Sequence, residues 1–459
     1  MASNGKKENI LTSWKEIATY LDRDVRTCVR WEHRYGLPIH RLERDSKAKV
    51  FAYKDQIDAW LAERSTVGTI RPKRRGLARL LGRPFPVIFA LAGLAAAAYF
   101  LFFRTPTGAG PSASVPTDFH IHGTVLTIVD QFGRELWPFD TRLSDLESED
   151  VYRPRFEPKS LGTDYVPIWP YIMIRDINGD GRPEVLFSTQ TASQVREGTL
   201  FCFDDRGTEL WRFETGRELE FGGQPFRREY RIFGFNVEDY DGDGKLEILV
   251  LSHQKPDWPC QTVLLDPAGK LQGEYWNAGY FMDGQAGDVD GDGQKELVLS
   301  GVNNEYRSGC VAVFEAGRLW GYSPQQEEAF RTQDLSEGQQ SAYILFPNSD
   351  VDAAIQQAGD PVNSFWIHEG DGLTAETCET QVIYDLDRAL SCRKVTLSNT
   401  FRNYHDRFSR EGKIHSVVNA AYEKALADSI LYRESGKWTS RAGTGALAAE
   451  RLDRGVKKK

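Results

Sequence analysis

Cysteine is scarce, six in 459 residues, and no two stand in a CxxC arrangement. That excludes the common structural zinc ribbons and thioredoxin-like redox motifs. A nucleophile elbow, a phosphate-cradling glycine loop and a zinc-protease helix motif are also missing, so no catalytic class announces itself and the expectation is a protein that is not an enzyme. Tyr404, His405, Asp406 and Arg407 form a polar cluster, which reads as solvated loop surface. Cys28 is expected to stay reduced. Cys202 and Cys310 sit in apolar strand patterns and read as buried thiols, while Cys378 and Cys392 are near enough in sequence to pair.

Charge is balanced in neither part of the chain. Residues 1–83 carry a net +9 and the remainder −18. A basic head suits nucleic acid or anionic lipid, and an acidic body suits divalent cations. Between them, residues 84–103, PFPVIFALAGLAAAAYFLFF, carry no charge and are bracketed by Arg83 and Arg104. A helix of about 20 apolar residues is about 30 Å long, the thickness of a bilayer core, so the stretch reads as one transmembrane helix. A cleaved leader would stand at the extreme N-terminus, whereas this run follows more than eighty residues. The basic residues before it, Arg71, Lys73, Arg74, Arg75, Arg79 and Arg83, predict a cytoplasmic N-terminus. The expected location is therefore a bacterial cytoplasmic membrane, single-pass, with the C-terminal domain periplasmic. Ala92 with Ala96, and Gly93 with Ala97, give small-xxx-small spacing through which a homodimer could form.

In the head, LTSWKEIATYLDRDVRTCVRWEHRYGLPIHR reads as two short helices around a tight turn, the first opened by a Ser13/Glu16 capping box. The second, Val25 to about Tyr35, turns Arg26, Thr27, Arg30, His33 and Arg34 to one face. Residues 39–42 and 50–53 then read as two strands, and DQIDAWLAER as a third helix. Over residues 10–64 this order resembles the winged helix-turn-helix domains of the MerR and excisionase type. The resemblance implies DNA as partner, with Arg26, Thr27 and Arg30 at base edges and Arg41, Lys47 and Lys49 on the wing. Residues 65–83 form a basic juxtamembrane linker, and 104–117 a flexible one rich in Pro, Gly, Ser and Thr.

Repetition dominates the body. LTIVDQFGRELWPFD, LFCFDDRGTELWRFE, VLLDPAGKLQGEYW and VAVFEAGRLWGY share an apolar strand, an acidic residue, a glycine turn and an aromatic strand; FWIHEGDGLTAETC reads as a degraded fifth copy. Interleaved are DINGDGRPEVLF, DYDGDGKLEILV and DVDGDGQKELVL. Oxygen side chains recur at positions one, three, five and nine: Asp176, Asn178, Asp180 and Glu184; Asp239, Asp241, Asp243 and Glu247; Asp288, Asp290, Asp292 and Glu296. A hard cation takes six to eight oxygens at about 2.4 Å, and alternating acids on a curved loop supply them, so about three Ca2+ sites are expected. An EF-hand needs a glutamate at position twelve, where Phe187, Val250 and Leu299 stand. A strand pattern follows each loop instead.

Calcium loops between strands, alternating with GxxLW hairpins, resemble the FG-GAP and VCBS repeats of integrin-α-like β-propellers. The expected fold is thus multidomain: a small α winged helix-turn-helix, one membrane helix, and an all-β propeller over 118–400 with roughly five blades and a decayed loop at Asp350-Val351-Asp352. A helical and charged tail, 401–459, is expected to follow. The function expected is a membrane-anchored one-component transcriptional regulator, its propeller sensing an external ligand. The alternative is a surface adhesion or scaffolding protein whose propeller binds protein or glycan.

Overall fold

A computed structural model of the chain describes residues 114–441 apart from 158, 162–166, 194–197, 227–228, 255–257 and 356–358. Of the N-terminal region it describes 10–11, 16–17, 20, 38–42, 49–54 and 56–57. The chain divides into two units at Gly108/Ala109.

In the first unit, His40–Leu42 and Lys49–Tyr53 pair antiparallel, with Arg41 opposite Val50 and Leu42 opposite Lys49. Ile10–Leu11 adds a third strand along the far edge of Lys49–Tyr53. Arg41 and Lys49 therefore lie on neighbouring strands. Arg26, Thr27, Arg30, Arg34 and Lys47 lie outside the described residues, as does the apolar run 84–103.

The second unit is a succession of antiparallel sheets. The first has three strands, Asp118–His122, Val125–Val129 and Glu135–Asp140. The second has four: Ile172–Arg175, Glu184–Ser188, Thr199–Phe203 and Glu209–Glu214. The third repeats that plan with Tyr230–Glu238, Glu247–Gln254, Cys260–Leu265 and Leu271–Asn277, and the short strand Trp320–Tyr322 joins its outer edge in parallel. The fourth begins with Gly279–Gly287, Glu296–Asn303 and Ser308–Glu315, and the fifth comprises Val362–His368, Gly372–Thr377, Val382–Leu386 and Cys392–Leu397.

Burial follows strand position. All residues of Glu184–Ser188, Cys260–Leu265 and Glu296–Asn303 are buried, because each sheet is covered on both faces. The outer strand Glu209–Glu214 instead alternates half-buried and exposed residues. Continuous apolar runs inside and period-two strands outside are what sheets packed face to face require. The result is a propeller-like all-β fold.

Two expectations are corrected. The chain was expected to combine a small α domain, a membrane helix and a propeller in one single-pass protein of the cytoplasmic membrane. The described residues are mostly sheet, and no helix among them is long and apolar enough to cross a membrane. Asn399–Arg410, with 12 residues, carries arginines at 402, 407 and 410. At about 1.5 Å per residue it is far shorter than the hydrocarbon core. The membrane-spanning fold class and the single-pass location therefore do not stand.

Smaller differences have local causes. Asp350-Val351-Asp352 is the start of a helix, Asp350–Ile355, because Ser349 and Asp352 form a reciprocal cap: Ser349 N–H donates to Asp352 Oδ2 at 2.7 Å and Asp352 N–H to Ser349 Oγ at 3.1 Å. The Tyr404–Arg407 cluster is helical, with His405 buried and 3.0 Å from Ser416 Oγ. No disulfide joins Cys378 to Cys392, and Cys202, Cys260 and Cys310 are likewise unbridged. Beyond the helix Ala420–Asp428, the strands Leu431–Glu434 and Lys437–Thr439 extend the fourth sheet through Ala342–Leu345.

Candidate metal centres

Each acidic loop joins the first strand of a sheet to its second: 176–183 in the second sheet, 239–246 in the third, 288–295 in the fourth. The position-one aspartate organises the turn. Asp176 takes the N–H groups of Gly179 and Gly181 at 2.8 and 2.9 Å, Asp239 those of Gly242 and Gly244 at 2.6 and 3.3 Å, and Asp288 those of Gly291 and Gly293 at 2.6 and 3.1 Å. The glycines at the sixth position, Gly181, Gly244 and Gly293, have φ of +83°, +84° and +86°, a region that L side chains avoid. The position-nine glutamate closes each loop from below, accepting the N–H of Ile177, Tyr240 or Val289 at 2.8 to 3.0 Å.

In the second loop, carboxylate oxygens of Asp239, Asp241 and Glu247 all lie within 4.8 Å of one another, and in the third those of Asp288, Asp290 and Glu296 do the same. Twice a calcium–oxygen distance of about 2.4 Å is about 4.8 Å, so each trio fits on one coordination sphere. The donors are all hard oxygens, the chemistry of calcium rather than of zinc or copper. Their proximity has an electrostatic signature. Burial, followed by repulsion from Asp241, Asp243 and Asp239, pushes Glu247 up to about 7 against the opposing Tyr240 N–H. Glu296 and Glu184 are raised for the same first reason.

The first loop departs. Asn178 Oδ1 accepts the Asp180 N–H at 2.8 Å, which turns its Nδ2 onto Glu184 Oε1, also at 2.8 Å. The amide thus occupies the oxygen that stays available in the other loops. The position-five carboxylates, Asp180, Asp243 and Asp292, are outside both trios. Each gives Oδ1 to the backbone N–H two residues on, while Lys245 Nζ binds Asp243 Oδ2 at 2.6 Å and Gln294 Nε2 binds Asp292 Oδ2 at 3.1 Å. Lys245 holds Asp243 below the usual carboxylate range.

Sequence reasoning missed two neighbours. Lys295 of the third loop reaches the second, its Nζ 2.7 Å from Asp239 O and 3.5 Å from Asp239 Oδ2. Trp211 crosses from the second sheet to the turn of the third: its Nε1 donates to Pro267 O at 2.9 Å and its ring lies against Gly269. Trp137 makes the same crossing one sheet earlier, to Asp205 O at 3.2 Å, over Gly207. The recurring tryptophan four residues after a turn glycine was the signal for both.

No curated protein matches this chain. Among solved structures it is similar to the Dos1 propeller, at 10% identity and a TM-score of 0.30, covering 60% of this chain and 65% of that one. BamB from Moraxella catarrhalis matches at 8% identity and a TM-score of 0.26, over 62% of each chain. The biofilm matrix protein Bap1 of V. cholerae matches at 17% identity and a TM-score of 0.18, over 44% of this chain and 33% of that one. This chain thus spans less than two thirds of each of these proteins. Residues 176–250, from the first acidic loop to the strand after the second, match the FG-GAP-like repeat family.

Proposed function

We propose that the repeat body is an interaction or adhesion module whose acidic loops bind calcium, and that its task is to present a rigid surface to a protein or glycan. The observation that carries this reading is the pair of carboxylate trios at one structural position in successive sheets, the first of them within the stretch that matches the FG-GAP-like repeat. A buried glutamate repelled by the aspartates around it destabilises an empty loop, and a divalent cation removes that repulsion. Asp239, Asp241 and Glu247 would hold one ion, and Asp288, Asp290 and Glu296 another. Calcium supplies only charge and coordination here, pinning the first strand of each sheet to the second.

The test is calorimetric titration of chelator-stripped protein with Ca2+, alongside thermal unfolding. About two ions per chain and a Tm rise of several degrees at saturating calcium are expected. Neither heat nor a Tm change at millimolar Ca2+ would end the calcium reading.

A further inference from the structure

The second loop is set apart by what stands beside it. It opens into a cleft of about 710 Å³, within the range of small-ligand sites. Asp241 and Glu247 line it together with Leu210 and Trp211 from the preceding sheet and Pro267 and Ala268 from the adjoining turn. Glu247 is 6% exposed; one carboxylate oxygen takes the Tyr240 N–H, and the other has no hydrogen-bond partner among the described residues.

Neither neighbouring loop has both halves of this arrangement. The first has its tryptophan, Trp137, but Asn178 blocks Glu184. The third has its carboxylates, but the residue in register with Trp211 is Gly273, packed against Leu319. The turn of the fifth sheet also covers that loop: Gly370 N–H donates to Asp288 O at 2.7 Å, and Glu369 Oε2 accepts the Asp288 N–H at 3.1 Å.

We propose that the cleft beside the second loop is a cation-dependent site for a neutral saccharide, an assignment that rests on calcium occupying that loop. Three carboxylates leave part of a six- to eight-oxygen shell to outside donors, and a pair of adjacent sugar hydroxyls supplies two oxygens at the required separation. The aliphatic face of the sugar ring then packs against Trp211 and Leu210, since an indole offers a broad apolar surface. Charge selects a neutral ligand. Asp241, Asp243, Glu247 and Asp266 line the cleft against Lys245 alone, so one divalent ion leaves it slightly negative and unwelcoming to an acidic peptide or sialylated glycan.

The full chain is tested on an array of neutral and acidic glycans in millimolar Ca2+ and again in EDTA, with calcium calorimetry on the same samples. Binding to a neutral sugar is expected, weakened about tenfold or more by EDTA. Ala268 is exposed and contributes no side chain to the loop, so Ala268→Trp should fill the cleft, abolish sugar binding and leave calcium stoichiometry unchanged. Trp211→Ala, checked for its melting curve, should weaken the sugar about tenfold with calcium retained. Calcium uptake without neutral-sugar binding overturns the proposal, as does sugar binding indifferent to EDTA or to Ala268→Trp, or binding restricted to acidic glycans. Absence of calcium uptake fails the underlying reading first and is seen separately in the calorimetry.

Discussion

Asn178 shows how far one amide can change a loop. Its backbone surroundings match those of Asp241 and Asp290, with the same N–H two residues on as donor. An aspartate there could not donate to Glu184 Oε1, and would free that oxygen while adding a charge. Asn178→Asp is therefore expected to raise calcium stoichiometry from about two to about three per chain, read by calorimetry; an unchanged count would mean that something other than the amide closes the first loop. Asp352 is a second residue whose protonation matters. It is 3% exposed, its Oδ1 is without a partner, and burial followed by the nearby Asp360 pushes it up to about 6. A carboxyl raised in the folded state favours folding while it is protonated, and that contribution fades as pH climbs from about 4 to about 6. A rise from 3.8 to about 6 corresponds to about 3 kcal/mol. Asp352→Asn keeps an oxygen for Ser349 and never charges, so it should stabilise the protein by about 1–3 kcal/mol above pH 6 and by almost nothing near pH 4, measured by denaturant unfolding across that range.

At the scale of elements, one hairpin turn recurs. Asp130, Asp204, Asp266 and Asp387 each give one carboxylate oxygen to the N–H groups two and four residues on. Gly133, Gly207 and Gly269 follow three residues later with φ between +73° and +85°, and Leu390 fills that place in the last turn at +60°. The turns differ in what they meet. A Cβ on Gly133 would touch nothing within 4 Å, whereas one on Gly207 would lie 2.6 Å from the Trp137 ring. Gly133→Ala should thus cost about 1–2 kcal/mol of left-handed strain, and Gly207→Ala about 1–3 kcal/mol more as Trp137 is displaced, by chemical denaturation. Equal losses would mean that the crossing tryptophan gives way freely. The first three of these hairpins and the three acidic loops were legible in the sequence because each is a short-range pattern in which glycine, acid and strand sit at fixed offsets; the Asp387 turn was not, because Leu390 stands where the pattern has glycine. What was not legible depends on partners far along the chain: Lys295 reaching Asp239, Trp211 reaching Pro267, and the burial of His405 in a helix capped by Ser398. Asp350 and Asp352 misled because the spacing of a ligand loop is also that of a capped helix start.

At the scale of the second unit, the fourth sheet cannot be finished by the residues that begin it. Ser308–Glu315 pairs with Ala342–Leu345, and that strand takes its other partner from Leu431–Glu434, some ninety residues later. The late hairpin is anchored on both sides. Trp438, 2% exposed, donates from Nε1 to Tyr306 Oη at 3.3 Å, and Arg433 makes a two-pronged pair with Glu337 at 3.0 Å. Between strand and hairpin, Phe401, Phe408, Ile414, Leu426 and Ile430 enter the same core cluster as Phe365, Leu373 and Tyr384 of the fifth sheet. Residues 399–441 are therefore a shared wall of two sheets rather than an appendage. Ending the chain at Ser398 would strip the pairing from Ile344 and Leu345 and bare that cluster, leaving an apolar open edge of the kind that aggregates. The shortened protein is expected to lose its cooperative melting transition and to be cut by protease throughout 279–397. A dispensable tail would instead leave the melting curve where it was. Trp438→Ala tests the same closure more gently: loss of a fully buried indole should cost about 3–5 kcal/mol, and a loss under about 1 kcal/mol would show that the late hairpin does not hold the sheet shut.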